Sequence, residues 1–136
     1  MIAISVDLGH ARTGLAVSDK SGFLASSLCV ITEYNDEKLI EKIAEKVKET
    51  KAEIIVVGLP RNMDGSEGES AQRAKEIGAR LSAITGVPHH MQDERGTTIT
   101  AHHFLSEGNV YGKKRKQKVD AVAASIILQD YLDSQR

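Results

Sequence analysis

Acidic side chains stand at three separate points of this sequence, each beside an apolar segment. Asp7 follows an alternating apolar pattern, Asp93 and Glu94 follow a later apolar segment, and Asp120 precedes the last one. Asp is a poor strand former, so a carboxylate at a strand end is either a turn residue or a ligand. Carboxylates without competing Cys or paired His ligands favour a hard cation, Mg²⁺ or alternatively Mn²⁺. Two such ions can activate a water and stabilise the leaving oxygen of a phosphodiester.

Each of these acids also has a structural explanation. Asp7 could be a turn residue, and Asp120 suits the first turn of a helix because its charge complements the helix dipole. Glu94 could simply pair with the neighbouring Arg95. Considered together with the sheet topology derived below, the acids favour a metal site.

Two loops beside the acids contain residue types that contact phosphate. Gly9 and Gly14 let the backbone approach a ligand closely, and Arg12 supplies a fork of hydrogen-bond donors. A second loop, residues 62–68, offers backbone N–H groups together with Asn62 and the hydroxyl of Ser66. We therefore expect residues 9–14 to form the floor of a phosphodiester site.

A basic segment, KKRKQK at residues 113–118, places five cations in six residues just before Asp120. Cations this close repel each other unless a polyanion is near, and each phosphate that they neutralise adds salt-dependent affinity. The structural alternative is a solvated basic loop. The overall charge of −1 means that any affinity for nucleic acid must come from such local clustering.

Composition limits the remaining possibilities. A chain of 136 residues suits one domain, residues 1–136, with a single core. No apolar run approaches the roughly 20 residues of a membrane span, and the N-terminus lacks signal-peptide features, so we expect a soluble, cytoplasmic protein. The single Cys29 is interpreted as a core residue, and the adjacent histidine pairs lack the spacing of a zinc site.

Apolar periodicity predicts the elements that position these residues. Residues 1–19 predict a β-hairpin, and residues 25–31 a third strand after a short turn. Asn35 predicts a helix cap, because acidic residues and an apolar stripe follow it. That stripe consists of Leu39, Ile40, Ile43, Ala44 and Val47.

The second half of the chain alternates strands with helices. Residues 53–59 are a β-branched run typical of a strand covered on both faces, and residues 87–92 predict a weaker strand. Between them, residues 70–85 predict a helix that ends at Gly86. Its apolar face consists of Ala74, Ile77, Leu81 and Ile84.

The C-terminal third predicts two helices around a polar loop. Thr97 or Thr98 can cap a short helix that ends at about residue 105. Residues 106–118 are polar, contain glycine and predict a basic loop. Residues 119–133 predict the last helix, whose packing positions are Val122, Ala123, Ile126, Ile127 and Tyr131.

This order predicts an α/β fold with one mixed five-stranded sheet and helices on both faces. Strands one to three are antiparallel, and strands one, four and five are parallel. In such sheets ligands bind beyond the strand ends. If strand four lies between strands one and five, the ends that carry Asp7 and Glu94 point the same way. A last helix packed over that edge brings Asp120 to them.

Four sequence blocks resemble the YqgF or RuvX family, in the family's order and over essentially the whole chain. They are DLGHARTGLAVSD from Asp7, GLPRNMDGSEG from Gly58, DERGTT from Asp93 and KKRKQKVDAVAASIILQDYL from Lys113. Family members are bacterial proteins with an RNase H-like fold. They are described as candidate Holliday junction resolvases and as pre-16S rRNA processing nucleases.

The resemblance implies that Asp7, Glu94 and Asp120 are the metal-binding and catalytic acids, with Asp93 as an alternative ligand to Glu94. The sequence departs from the family pattern at three positions, none of them a candidate acid. Ala11 stands where Lys is common, Thr13 where an aliphatic residue is common, and Gly96 where a larger residue is common. Ala11 removes one phosphate contact from the first loop.

We interpret the chain as a Mg²⁺-dependent endonuclease or processing nuclease acting on structured nucleic acid, most directly precursor rRNA or ribosomal particles. The alternatives are a resolvase of four-way DNA junctions, an RNA-binding assembly factor without turnover, and an ATP-binding phosphotransferase, because the hairpin also resembles that of the actin and sugar-kinase superfamily. Monomer and homodimer both remain open. The expected nucleic-acid contacts are Arg12, Asn62, Ser66, Arg95, Lys113, Lys114, Arg115, Lys116 and Lys118.

Overall fold

A computed structural model describes residues 1–60, 68–93 and 112–135, and over residues 112–121 it describes the backbone alone. Five strands and three helices occur in these ranges. The strands are β1 (Ala3–Leu8), β2 (Arg12–Ser18), β3 (Ala25–Thr32), β4 (Ile54–Leu59) and β5 (His89–Asp93). The helices are α1 (Asp36–Thr50), α2 (Glu69–Thr85) and α3 (Gly112–Ser134).

The strands form one sheet in the order β3-β2-β1-β4-β5. Strands β1, β2 and β3 pair antiparallel, whereas β1, β4 and β5 pair parallel. The predicted mixed sheet is therefore confirmed, with β4 between β1 and β5. Because those three strands are parallel, their carboxyl ends lie at one edge of the sheet.

Helices α1 and α2 cover one face of the sheet. Helix α1 begins as predicted, because the side chain of Asn35 accepts a hydrogen bond from the backbone N–H of Lys38 at 3.0 Å. Its apolar stripe packs against inward residues of the strands, among them Ile4 and Leu15. The fully covered members of this core include Ile4, Leu15, Leu39, Ile40, Ile43, Ile55, Val57 and Leu81.

Helix α3 covers the opposite face. Ala124, Ile127 and Leu128 are buried against small residues of the sheet, among them Ala3 and Ala16. These small residues let the helix backbone approach the sheet closely. The hydroxyl of Ser5, also buried, donates a hydrogen bond of 2.7 Å to the carbonyl oxygen of Ala124. The covering of both faces by helices is thereby confirmed.

Two predictions about side chains and boundaries in the middle of the chain were wrong. Ile84 does not belong to the buried face of α2, since its side chain is 59% exposed. It lies in the last turn and borders a groove beside the C-terminal half of α1. Strand β5 begins at His89 and includes Asp93, so this acid is the last residue of the strand and does not follow it.

The start of the last helix was also predicted wrongly. Helix α3 begins at Gly112, so residues 113–118 belong to its first turns and not to a loop. Lys, Arg and Gln are good helix formers, and the polar composition concealed this propensity. Asp120 consequently lies in the third turn of the helix, where the dipole argument for a first-turn acid does not apply.

The short helix predicted to begin at Thr97 or Thr98 lies outside the described residues. Over the residues that are described, no helix is both long and apolar enough to span a membrane.

Candidate active site

Asp7 lies near the carboxyl end of β1 and faces the side of the sheet that α3 covers. Strand side chains alternate between faces, and Ala3 and Ser5 of the same strand contact α3. Asp7 is half-buried. A half-buried carboxylate held on a buried strand suits a metal ligand, because the strand fixes its position.

Gly14 is the cross-strand partner of Asp7 in the β1–β2 ladder. Its placement in the predicted phosphate loop was wrong, since it lies inside β2, and Arg12 begins that strand. Directly paired residues have Cβ positions only about 5 Å apart, so glycine at position 14 places no side chain directly opposite the carboxylate. By strand alternation Arg12 also belongs to the face of Asp7.

Gly9 belongs to the tight connection between β1 and β2. A Cβ atom at Gly9 would lie 2.2 Å from the backbone carbonyl oxygen of Arg12, which is too close for any side chain. The connection therefore requires glycine because the two strands approach each other here. The predicted close approach of this backbone to a ligand stays a prediction.

Helix α3 runs antiparallel to β1, which places position 120 on the side of Asp7. The helix contacts Ser5 through Ala124. Five residues later, the side chain of Gln129 accepts a hydrogen bond of 2.9 Å from the N–H of Ala25, at the end of the sheet where β1 begins. Position 120 lies one turn before Ala124, about 6 Å along the helix axis. Asp7 lies about 7 Å beyond Ser5 along the strand. The backbone thus brings the two acidic positions to the same place along the sheet.

Asp93 occupies the opposite face of the sheet from Asp7. It pairs with Leu59, and the preceding pairs of the same face, among them Val57 and Met91, pack in the core beneath α1 and α2. In addition, β4 separates β1 from β5, which corresponds to about 10 Å between the two outer strands. Asp93 is exposed. The structure therefore does not bring Asp93 and Asp7 together on one face.

Arg73 is a contributor to this region that the sequence did not indicate. One of its terminal nitrogens donates to the carbonyl oxygen of Gly9 at 2.7 Å, and the other donates to the carboxylate of Asp36 at 2.8 Å. The Arg73 guanidinium holds the pKa of Asp36 below its usual value, because it stabilises the charged carboxylate. Through these bonds α2 holds both the start of α1 and the hairpin connection.

The remaining predicted site residues fall into two groups. Asn62, Ser66, Glu94 and Arg95 lie outside the described residues, and only the backbone is described for the segment 113–120. Among side chains in the described ranges, no group of three or more His, Cys, Asp or Glu could hold a metal ion.

Comparison with known proteins shows the family of this chain. The sequence model of the family described as "RuvX: Holliday junction resolvase" matches residues 1–134. A Clostridium botulinum protein, described as a candidate pre-16S rRNA nuclease, is 41% identical over 133 residues, which cover 98% of this chain and 97% of that protein.

Solved structures with the same architecture include two junction resolvases. Thermus thermophilus RuvC in complex with a Holliday junction substrate matches with a TM-score of 0.63 and 15% identity, covering 99% of this chain and 95% of that one. The fowlpox virus resolvase in complex with Holliday junction DNA has a TM-score of 0.58 and 14% identity, covering 99% of both chains. These likenesses confirm the predicted RNase H-like fold.

Proposed function

Since this chain belongs to the RuvX family, we propose that it is a metal-dependent nuclease that hydrolyses phosphodiester bonds in structured nucleic acid. The observation that carries the proposal is the position of Asp7. It is a half-buried carboxylate at the carboxyl edge of the parallel strands, on the face that α3 covers. We further propose precursor 16S rRNA as the substrate, because the curated relatives of similar length are described as candidate pre-16S rRNA nucleases.

Asp7, Glu94 and Asp120 would hold Mg²⁺ in this proposal. The donor set fits, because all three residues are carboxylates, the described one is half-buried on a strand, and hard oxygen ligands are what Mg²⁺ prefers. We prefer Glu94 to Asp93, since Asp93 lies on the other face of the sheet. When bound, the ion would supply Lewis-acid stabilisation of the charge that develops at the phosphate.

The chain's own residues would position the substrate. Arg12 belongs to the face of Asp7 and can direct its guanidinium fork at a phosphate oxygen. The basic segment 113–118 leads directly into the helical turn that contains Asp120. A nucleic-acid phosphate backbone bound by these cations would therefore pass close to the acids. Asn62, Ser66 and Arg95 are further proposed contacts.

The test compares cleavage of two substrates, a precursor 16S rRNA end and a four-way DNA junction, with and without Mg²⁺. We expect wild type to cut the RNA, and Asp7→Asn to lose about 100-fold or more of the rate because it removes a ligand. Asp93→Asn is the matched control and should cleave within a few fold of wild type. Cleavage by Asp7→Asn at the wild-type rate would contradict the proposed mechanism.

Resolution of DNA junctions is the second candidate, favoured by the description of the matching family. A resolvase must cut two strands symmetrically, which requires two active sites related by a two-fold axis. Preferential cleavage of the junction by a dimeric protein would therefore decide for this function. Salt-sensitive RNA binding that persists in EDTA without cleavage would instead indicate an assembly factor.

A further inference from the structure

A cavity of about 390 Å³ adjoins the candidate active site from the other face of the sheet. Leu8 and Gly9, the residues that directly follow Asp7, form part of its wall. The starts of α1 and α2 provide the remaining walls through Asp36 and Arg73. Since Leu8 directly follows Asp7, the wall of the cavity begins at the residue next to the proposed metal ligand.

Two aromatic rings stand at this cavity. Tyr34 and His10 both line it, with their ring centroids 6.3 Å apart in an edge-to-face arrangement. The Tyr34 residue is 74% exposed, although aromatic residues make up only 4% of the chain. An exposed ring offers a flat apolar face, and base stacking on such faces is a general means of binding single-stranded nucleic acid.

The side-chain charges of the cavity disfavour phosphate, although the starts of α1 and α2 each contribute the positive end of a helix dipole. Two carboxylates, Asp36 and Glu69, line it with a single guanidinium, that of Arg73. This guanidinium already donates to Asp36 and to the carbonyl of Gly9. A neutral group that stacks on a ring and donates hydrogen bonds to a carboxylate fits these surroundings better than an anion does. Nucleobases with an exocyclic amino group have both properties.

We propose that this cavity, here called the base pocket, binds an unpaired nucleobase of the substrate strand, stacked on Tyr34 beside the scissile phosphate. The inference rests on the proposed nuclease function and deepens it. It specifies the substrate class as nucleic acid with an unpaired nucleotide next to the cleaved bond, because a base inside a continuous duplex is not free to enter the pocket.

The test measures binding and needs no cleavage. Fluorescence anisotropy in EDTA gives the Kd of an RNA hairpin with a single-stranded adenosine tail, and of the same hairpin with a blunt end. For Tyr34→Ala we expect affinity for the tailed RNA to fall about 5- to 100-fold, with no change for the blunt RNA. Tyr34→Phe is the matched control, since it keeps the ring, and should bind both RNAs within about 2-fold of wild type.

A second arm uses adenosine, which offers the same base without a strand or a phosphate. Competition of the tailed RNA by millimolar adenosine, lost in Tyr34→Ala, would support the base pocket. If Tyr34→Ala weakened adenosine binding but left tailed RNA unaffected, the pocket would serve free nucleosides and the strand proposal would be overturned. Equal binding of tailed RNA by wild type and Tyr34→Ala would overturn it as well.

These outcomes are separable from the proposed function. Loss of tail binding in Tyr34→Ala supports the base pocket even if wild type cuts no RNA, in which case only the nuclease proposal fails. Conversely, normal tail binding by Tyr34→Ala alongside inactive Asp7→Asn leaves the nuclease proposal intact. Because the Tyr34 ring is largely exposed, its removal leaves the core unchanged, and urea unfolding of the variant checks this.

Discussion

Arg73 joins three parts of the chain that are far apart in the sequence. Its guanidinium contacts Asp36, which is 37 residues away, and the carbonyl oxygen of Gly9, which is 64 residues away. The side chain is 28% exposed, so solvent screens these bonds only partly. Arg73 therefore fixes the connection that follows Asp7 relative to both helices of one face.

Replacement of Arg73 by Ala should lower the free energy of unfolding by about 1–2 kcal/mol, since charge-assisted hydrogen bonds are lost from a partly exposed site. Arg73→Lys should recover only part of this, because an ammonium cannot form the fork. Urea denaturation measures both changes.

Arg80→Ala is the control, since Arg80 also links α2 to α1, through an exposed ion pair with Glu37. It should cost much less stability than Arg73→Ala, because solvent screens an exposed ion pair. If the two alanine variants proved equally stable, the structural role given to Arg73 would be wrong.

At the scale of elements, helix α3 combines two functions. Its C-terminal half packs on the sheet through Ile127, Leu128 and neighbouring residues, whereas its first turns contain the basic segment 113–118. Cations at a helix N-terminus are unfavourable, because the positive end of the helix dipole lies there. The arrangement is therefore costly to the free protein and favourable next to a polyanion.

Replacement of Lys113, Lys114 and Lys116 by Gln should weaken RNA binding at low salt. The slope of log K against log salt should become shallower by about 2–3, since each phosphate contact contributes about 0.7–0.9. Filter binding or anisotropy between 50 and 300 mM salt measures the slope.

The matched control removes three exposed cations at the end of the sheet opposite the candidate site, at Lys20, Lys48 and Lys51. It changes net charge equally but should alter the slope little, because these residues are far from the proposed path of the nucleic acid. Equal effects of the two triple variants would mean that overall charge, and not the basic segment, governs binding.

At the scale of the whole molecule, carboxylates connect neighbouring elements and make stability depend on pH. Hydrogen bonds from the Ser21 hydroxyl and from the backbone N–H groups of Leu24 and Phe23 lower the pKa of Asp19 to about 2. Salt bridges and hydrogen bonds also lower the pKa values of Glu33, Asp36 and Glu37.

These lowered pKa values predict the direction of acid destabilisation. A carboxylate with a folded-state pKa below its unfolded value contributes stability above the unfolded value, and this is lost as pH falls towards the folded value. For Asp19 the loss should therefore occur between about pH 4 and pH 2. Urea midpoints at pH 7 and pH 3 measure it.

Asp19→Asn should be less stable than wild type at pH 7 and should lose less stability on acidification, because the titrating group is gone. An equal loss in both proteins would show that Asp19 does not contribute to the pH dependence. Partial desolvation and the carboxylate of Asp133 raise the pKa of Asp130, so this residue acts in the opposite direction and tempers the total effect.

Local patterns in the sequence determined most of the fold. Alternating residues such as Ile4 and Val6 define strands because strand side chains alternate, and the stripe of α1 defines a helix because positions three and four apart share a face. The cap at Asn35 and the end of α2 at Gly86 are equally local. These signals also gave the sheet order, since few topologies connect such elements without crossing.

Only the tertiary structure decided the features that depend on contacts between helices and strands distant in the sequence. Asp93 faces away from Asp7 because adjacent residues of a strand point to opposite faces of the sheet. The sequence does not show at which residue a strand ends, so it leaves the face of Asp93 undecided. The contacts of Arg73, the exposure of Ile84 and the tyrosine at the base pocket arise where distant segments pack. The sequence by itself thus determined Asp7 as a candidate ligand and the elements around it. Packing alone decided its neighbours, because contacts between distant residues leave no periodic pattern along the chain.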